Sequence, residues 1–190
     1  MKCEFSHVVL VLLAAGHSRR FGKPKLAEKL HGKALVHHAA STLYEAGFAH
    51  KIAVVGDEHW GLDTFGFTLV PTDAATQSGS LVAGITAALT KRPSAIMVAL
   101  GDMPFVPLSH YRRLVGAFDG RCIASSNGIN VMPPAIFGPA HYGALCEVTG
   151  DNGARSILQN APVVTASALE LCDIDTPEQL ASANQRSVAG

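Results

Sequence analysis

A three-layer α/β fold, with a doubly wound, mostly parallel sheet between two helical layers, is what this 190-residue sequence predicts. Short apolar runs alternate with segments of helical period, the pattern of βαβ units. The first run, residues 8–14, is apolar at every position, as a central strand buried on both faces must be. Caps and stop residues punctuate the helical segments between the runs.

In chain order, residues 34–46 read as a helix that Gly47 stops. Residues 52–55 and 67–70 read as strands. Leu81, Val82, Ile85, Ala88 and Leu89 share helical spacing, with Ser78 or Ser80 as the expected cap. Residues 95–100 read as another buried strand. Tyr111, Leu114, Val115 and Phe118 form one helix face behind Ser109 as cap. Residues 122–124 and 135–137 are expected as short strands. Asp151 is expected to cap a helix running to Gln159. Thr176-Pro177-Glu178-Gln179 combines a cap, a proline at the first helical position and a glutamine at the third, which predicts a helix start. The polar tail from Gln185 is expected to fray. No repeat or linker interrupts the pattern, so residues 1–190 are expected to form a single domain.

Composition narrows the function. Formal net charge is zero, with 15 basic and 15 acidic residues, so a nucleic-acid partner is not expected. Hydrophobic residues make up 48% of the chain, enough for a core without disulfides. Cys3, Cys122, Cys146 and Cys172 are widely spaced and form no C-x-x-C pair, which argues against a zinc site and for reduced thiols. Lys2 and the apolar run up to Ala15 imitate a signal peptide. That run is too short to cross a bilayer, which takes about 20 residues, and four cations follow it at once. A cytoplasmic protein with no membrane partner is expected. The nine histidines show no metal-ligand spacing, and neighbours His37 and His38 cannot face one site from a helix.

The chemistry concentrates in Leu13-Ala14-Ala15-Gly16-His17-Ser18-Arg19-Arg20-Phe21-Gly22-Lys23-Pro24-Lys25. A buried strand ends in small residues and runs into a loop with two glycines and four cations. Small residues let a backbone approach a ligand, loop N–H groups cradle phosphate oxygens, and cations neutralise them. The competing reading is a solvated basic loop. It is no P-loop, because five residues separate Gly16 from Gly22 and Pro24 stands where serine or threonine would hold magnesium. Nor is it a dinucleotide fingerprint, since G-x-G-x-x-G is missing, which disfavours a nicotinamide or flavin oxidoreductase.

The pattern L-A-A-G-x-S-x-R-x-G-x-x-K resembles the signature loop of the MobA-like NTP transferases, a group that includes the molybdenum cofactor cytidylyl- and guanylyltransferases. The resemblance implies the Rossmann-like fold of nucleotide-diphospho-sugar transferases. It implies nucleotide contacts at Leu13, Ala14, Ala15, Gly16, Ser18, Arg20 and Lys25, with Arg20 and Lys25 on the phosphates. Lys25 would also stabilise charge at the α-phosphate.

Gly101-Asp102-Met103-Pro104 follows a strand, and Asp102 reads equally as a Mg²⁺ ligand or an Asp-capped turn. The family's G-D-x-P element implies metal binding there. By the same resemblance Asp175 is the second metal-contacting residue, and the competing reading is an acid at a helix N-terminus. Asp173 is expected on the other side of the extended segment. Ser80-Leu81 and Gly84 resemble the family's S-L-x-x-G stretch, so Ser80 is either a base or ribose contact or an N-cap. Gly150-Asp151-Asn152-Gly153-Ala154-Arg155 resembles the G-D-x-G-A-R element on the acceptor side, implying acceptor contacts at Asp151, Gly153 and Arg155; a plain capped helix is the alternative. Pro134, Ala135 and Phe137 fit the G-x-P-x-x-F element, which adds Pro134. Residues 130–133 lack the histidine often found there.

The resemblance implies a Mg²⁺-dependent enzyme that moves a nucleoside monophosphate from an NTP to a phosphorylated acceptor, molybdopterin being the expected one. A molybdoenzyme or its chaperone would be the downstream partner. Guanylyltransferases tend to have Gly-Gly at Ala15-Gly16, and a Cβ at Ala15 crowds a purine more, so CTP is expected. The alternatives are transfer to a sugar phosphate or other phospho-alcohol, and a non-catalytic module that binds and delivers a nucleotide or cofactor.

Overall fold

The computed structural model describes residues 4–16, 21–22, 24–74, 76–150 and 154–186. Seven strands form the main sheet: β1 (Val8–Ala14), β4 (His50–Val55), β5 (Thr68–Pro71), β6 (Ala95–Leu100), β7 (Cys122–Ser126), β8 (Val131–Phe137) and β9 (Val163–Thr165). β2 (Lys29–Leu30) and β3 (Lys33–Ala34) pair as a small antiparallel hairpin. The helices are α1 (Leu35–Glu45), α2 (Gln77–Leu89), α3 (Leu108–Ala117), α4 (Tyr142–Cys146), α5 (Arg155–Leu158) and α6 (Pro177–Gln185).

Strand order is β5-β4-β1-β6-β8-β7-β9. β1 pairs parallel with β4 on one side and β6 on the other, so the winding reverses between β1 and β6. In open α/β sheets ligands bind outside the carboxyl ends of strands at such a switch point. The apolar run at the start of the chain dictates β1's central place. Val8, Leu10, Leu12 and Ala14 pack into the core with α1, α3 and α6 residues, whereas Val9, Val11 and Ala15 pack with α2, α4 and α5 residues. A strand's two-residue period gives each face its own core, and the result is three layers.

Gly84 explains how α2 reaches the sheet. A Cβ there would lie 2.5 Å from Val11 Cγ1 and 2.8 Å from Val54 Cγ2. Only glycine allows the helix to sit so low and bring its N-terminal end to the switch point. The Ser80-Leu81…Gly84 stretch therefore has a packing role.

Several local expectations change in the tertiary context. Thr76 caps α2, accepting from the Gly79 N–H at 3.1 Å, whereas Ser80 lies inside the helix and donates back to the Thr76 carbonyl at 3.3 Å. Pro107 holds the cap position of α3, and Ser109 is within the helix. α5 begins at Arg155 behind Ala154, without a side-chain cap, and ends at Leu158; Asp151 lies outside the described residues. β8 is longer than expected and antiparallel to both β6 and β7. At the last helix, Thr176 and Gln179 form the expected capping box.

A buried relay ties β8 to α3. Ala124 pairs with Ala135 and Ser125 with Met132, so Pro133 and Pro134 bulge out of the β7–β8 ladder. The Ser125 hydroxyl donates to the orphaned Pro134 carbonyl at 2.7 Å. His110 Nε2 lies 2.8 Å from Ser125 Oγ, and Arg113 donates to His110 Nδ1 at 3.0 Å. Arginine can only donate, so the Nδ1 of His110 accepts and its Nε2–H donates to Ser125.

His110 is fully buried, and burial, aided by the Arg113 charge, holds its pKa down to about 4. The unfolded chain takes up this proton near pH 6.5 and the folded one only near pH 4, so acid favours unfolding between those values. Stability should fall by about 3 kcal/mol across that window on account of this residue. Chemical denaturation at pH 7 and pH 4.5 checks it: His110→Gln should flatten the slope, and an equal slope in the variant would refute the assignment.

Among the described residues no helix is long and apolar enough to cross a membrane.

Candidate active site

Three segments meet at the carboxyl end of the sheet. Lys25 opens a short 3-10 turn whose next residue, Leu26, is buried in the core, so the lysine is held at its base. Asp102 follows β6. The Gly101 N–H donates to the Leu13 carbonyl at 2.9 Å, stitching the end of β6 to the end of β1. A Cβ on Gly101 would press on Val36 Cγ2 at 3.1 Å and the Leu13 oxygen at 3.3 Å, which is why glycine precedes Asp102. Asp175 precedes the α6 cap. The Gln179 Oε1 of the capping box accepts from the Asp175 N–H at 2.6 Å and the Thr176 N–H at 2.9 Å. The Ile174 N–H donates to the Asp102 carbonyl at 3.0 Å, joining this last segment to the first two.

The side chains converge. Lys25 Nζ donates to Asp102 Oδ2 at 2.8 Å and to Asp175 Oδ1 at 2.6 Å. Burial by itself would lower the lysine pKa. The Asp102 carboxylate, by charge and hydrogen bond, and then Asp175 outweigh it and raise the pKa above the ordinary lysine value. The ammonium is therefore charged at neutral pH. Asp102 Oδ1 is buried and accepts no hydrogen bond from the described residues. A buried carboxylate oxygen without a partner is costly, so a cation or donor is wanted there.

Beside this cluster lies a cleft of about 380 Å³. Its floor is Leu13, Val98 and Leu100 from β1 and β6. Gln77 and Leu81 of α2 form one wall. Asn130, Val131, Met132 and Pro133 at the start of β8, with Ala154 and Arg155, form another, and Met103, Leu171 and Asp173 close it. The volume suits a small-molecule site with mainly apolar walls and a few polar groups.

Of the nucleotide-loop residues, Leu13 lines the cleft, Ala14 and Ala15 are buried at the strand end, and Gly16 is exposed. Ser18 and Arg20 lie outside the described residues, as do Asp151 and Gly153. Ser80 does not line the cleft; Gln77, three residues before it on α2, and Leu81, the residue after it, do. Pro134 is buried behind the wall, and Pro133 takes its place on the surface, because the bulge turns the second proline inward to Ser125. Arg155 faces the cleft. Asp173 corrects the expectation that it points away. Residues two apart in an extended segment share a face, so with Ile174 buried between them Asp173 and Asp175 both look toward the site. Partial burial, then the Asp175 and Asp102 charges, raise the Asp173 pKa. The spacing D-x-D could have signalled this; Asn130 and Pro133 carried no signal.

His37 and His38 serve structure. Their Nε2 atoms hydrogen-bond the Trp60 carbonyl at 2.6 Å and the Leu30 carbonyl at 2.9 Å. The cysteines among the described residues, Cys122, Cys146 and Cys172, are unpaired.

A mostly parallel seven-stranded sheet flanked by helices, with its cleft at the β1–β6 switch point, is the Rossmann-like architecture of nucleotidyltransferases. The chain belongs to the MobA-like NTP transferase domain family, whose model matches residues 10–166. It is thereby a nucleotidyltransferase. It is 29% identical over 192 residues to the purine catabolism protein PucB of Bacillus subtilis, covering 91% of this chain and 94% of that one. It is 27% identical over 99 residues to a probable molybdenum cofactor guanylyltransferase of Pyrococcus horikoshii, covering 51% and 49%. Rv0371c of Mycobacterium tuberculosis shares the fold, with a TM-score of 0.79 at 21% identity over 94% of this chain and 98% of that one. A manganese complex of Rv0371c superposes with a TM-score of 0.75 at 21% identity, over the same shares of the two chains.

Proposed function

We propose that this chain transfers a nucleoside monophosphate from an NTP, CTP being the expected one, to a phosphorylated acceptor, molybdopterin being the expected one, with release of pyrophosphate. The observation that carries the reading is the meeting of Lys25, Asp102 and Asp175 at the switch point.

The acceptor's phosphate oxygen attacks the α-phosphorus in line, a new P–O bond forms, and the bond to pyrophosphate breaks. A phosphate monoester has a second pKa near about 6, so the nucleophile arrives ionised and needs no general base. The protein's task is to hold two polyanions together. Lys25 brings a charged ammonium to the α-phosphate, and Arg155 meets the acceptor's anionic group from the opposite wall. The apolar floor and the Met103, Met132 and Leu171 side chains exclude water. Asp102 and Asp175 would hold a divalent cation, Mg²⁺ being the expected one. Asp102 Oδ1, unpartnered among the described residues, fits that role, as does a donor set of few carboxylates that leaves room for phosphate oxygens and water. When bound, the cation supplies charge neutralisation at the phosphate oxygens.

Ala15 supports CTP, since its Cβ stands at the strand end where guanylyltransferases tend to have glycine. The Pyrococcus horikoshii relative's name favours GTP as the second reading. A cytoplasmic location and hand-over to a molybdoenzyme or its chaperone complete the proposal.

The test is pyrophosphate release with each of the four NTPs and Mg²⁺, using molybdopterin and a panel of sugar phosphates as acceptors. CTP with molybdopterin should give the highest rate. A faster sugar phosphate would overturn the acceptor, and no release with any pair would overturn the proposal.

A further inference from the structure

Trp60 sits in the loop after β4, at the same end of the sheet as the cleft. Its backbone is in the left-handed region, at φ 56°, and Gly61 follows at φ 64°. A bulky residue rarely adopts that conformation, because its Cβ crowds the following carbonyl. Such conformations persist where surrounding contacts over-determine them, and they gather at ligand sites. Two contacts hold Trp60. The indole Nε1–H donates to the Ala14 carbonyl at 3.1 Å. Its own carbonyl accepts from His37 Nε2 at 2.6 Å, which links it to α1.

Ala14 is the last residue of β1, where the chain leaves the sheet for the signature loop. The preceding carbonyl, that of Leu13, is tied on the β6 side by Gly101 N–H. The loop's departure point is thus pinned from two directions: by the backbone leading into Asp102 and by an indole from the β4 side. Phenylalanine or leucine at position 60 would fill similar space, yet neither could donate.

We propose that Trp60 is a positioning residue for the nucleotide: its indole, carried on a backbone whose carbonyl His37 braces, fixes the Ala14 carbonyl and so sets where Ala15 and Gly16 present their backbone to the NTP. This rests on the NTP-binding reading above. Nucleotide occupancy and the Trp60–Ala14 hydrogen bond are coupled, and loss of the donor weakens NTP binding while leaving the phosphoryl chemistry in place.

The sequence contains one tryptophan, so a ¹⁵N-labelled sample shows a single indole N–H cross-peak. Each of the four NTPs with Mg²⁺ is titrated into the wild-type protein, with calorimetry in parallel. The cross-peak should shift in step with saturation by whichever NTP binds. Trp60→Phe should weaken that NTP about tenfold, the equivalent of one lost hydrogen bond, and raise its KM more than it lowers kcat. His37→Ala, which keeps the indole, should act in the same direction but less. An NTP that binds without moving the cross-peak, and binds Trp60→Phe and His37→Ala as well as wild type, overturns this inference and leaves the functional reading standing. Absence of binding by every NTP to the wild type overturns both.

Discussion

Asp102→Asn should lower pyrophosphate release by on the order of 10²–10³-fold, the scale seen when one electrostatic contact to a reacting centre is removed. The side chain keeps its shape and can still accept from Lys25 through its amide oxygen. The backbone tie from Ile174 N–H to the Asp102 carbonyl is untouched, as is the Lys25–Asp175 pair. The thermal midpoint should therefore move by no more than about 2–4 °C, equivalent to about 1 kcal/mol in a chain of this length. Pyrophosphate release and a melting curve on the same preparation separate chemistry from folding. Turnover close to wild type would remove Asp102 from the mechanism.

Lys25→Met should cost both activity and stability. The Lys25 side chain is 12% exposed and neutralises two carboxylates, Asp102 at 22% and Asp175 at 39% exposure. Without the ammonium those carboxylates lose their hydrogen-bond donor at the sheet's end. Breaking a buried pair costs about 3–5 kcal/mol. The exposure of Asp175 brings solvent screening, so a loss of about 1–3 kcal/mol at pH 7 is expected. Millimolar Mg²⁺ should raise the variant's melting temperature more than the wild type's, because a cation would stand where the ammonium was. Pyrophosphate release should fall about 10²-fold or more. A variant with unchanged release, or one whose melting temperature Mg²⁺ raises no more than the wild type's, would separate Lys25 from the carboxylate pair.

The candidate site was legible piece by piece. A cation-rich loop after a buried strand, a Gly-Asp turn after another and an acid beside a capping box are local patterns, and each marks a strand or helix end where backbone groups are unpaired. Nothing in the spacing says that Lys25 lies against residues 77 and 150 positions away. Trp60 carried no signal at all, because its role depends on one carbonyl at the end of a different strand. The cap of α2 is Thr76, which accepts from the Gly79 N–H, and Ser78 and Ser80 lie inside the helix.

By itself the sequence determined the elements whose causes are local: the two-faced apolar strand β1, the helix stop at Gly47, the capping box at Thr176 and the residue types able to handle phosphate. Tertiary structure alone decided the antiparallel insertion of β8, the bulge that puts Pro133 rather than Pro134 on the cleft, and the closure of Lys25 on both Asp102 and Asp175. Periodicity and capping act within a few residues and can be read along the chain. Strand order and register arise from pairing between distant segments, and they are settled only when the whole sheet has a face to bury on each side.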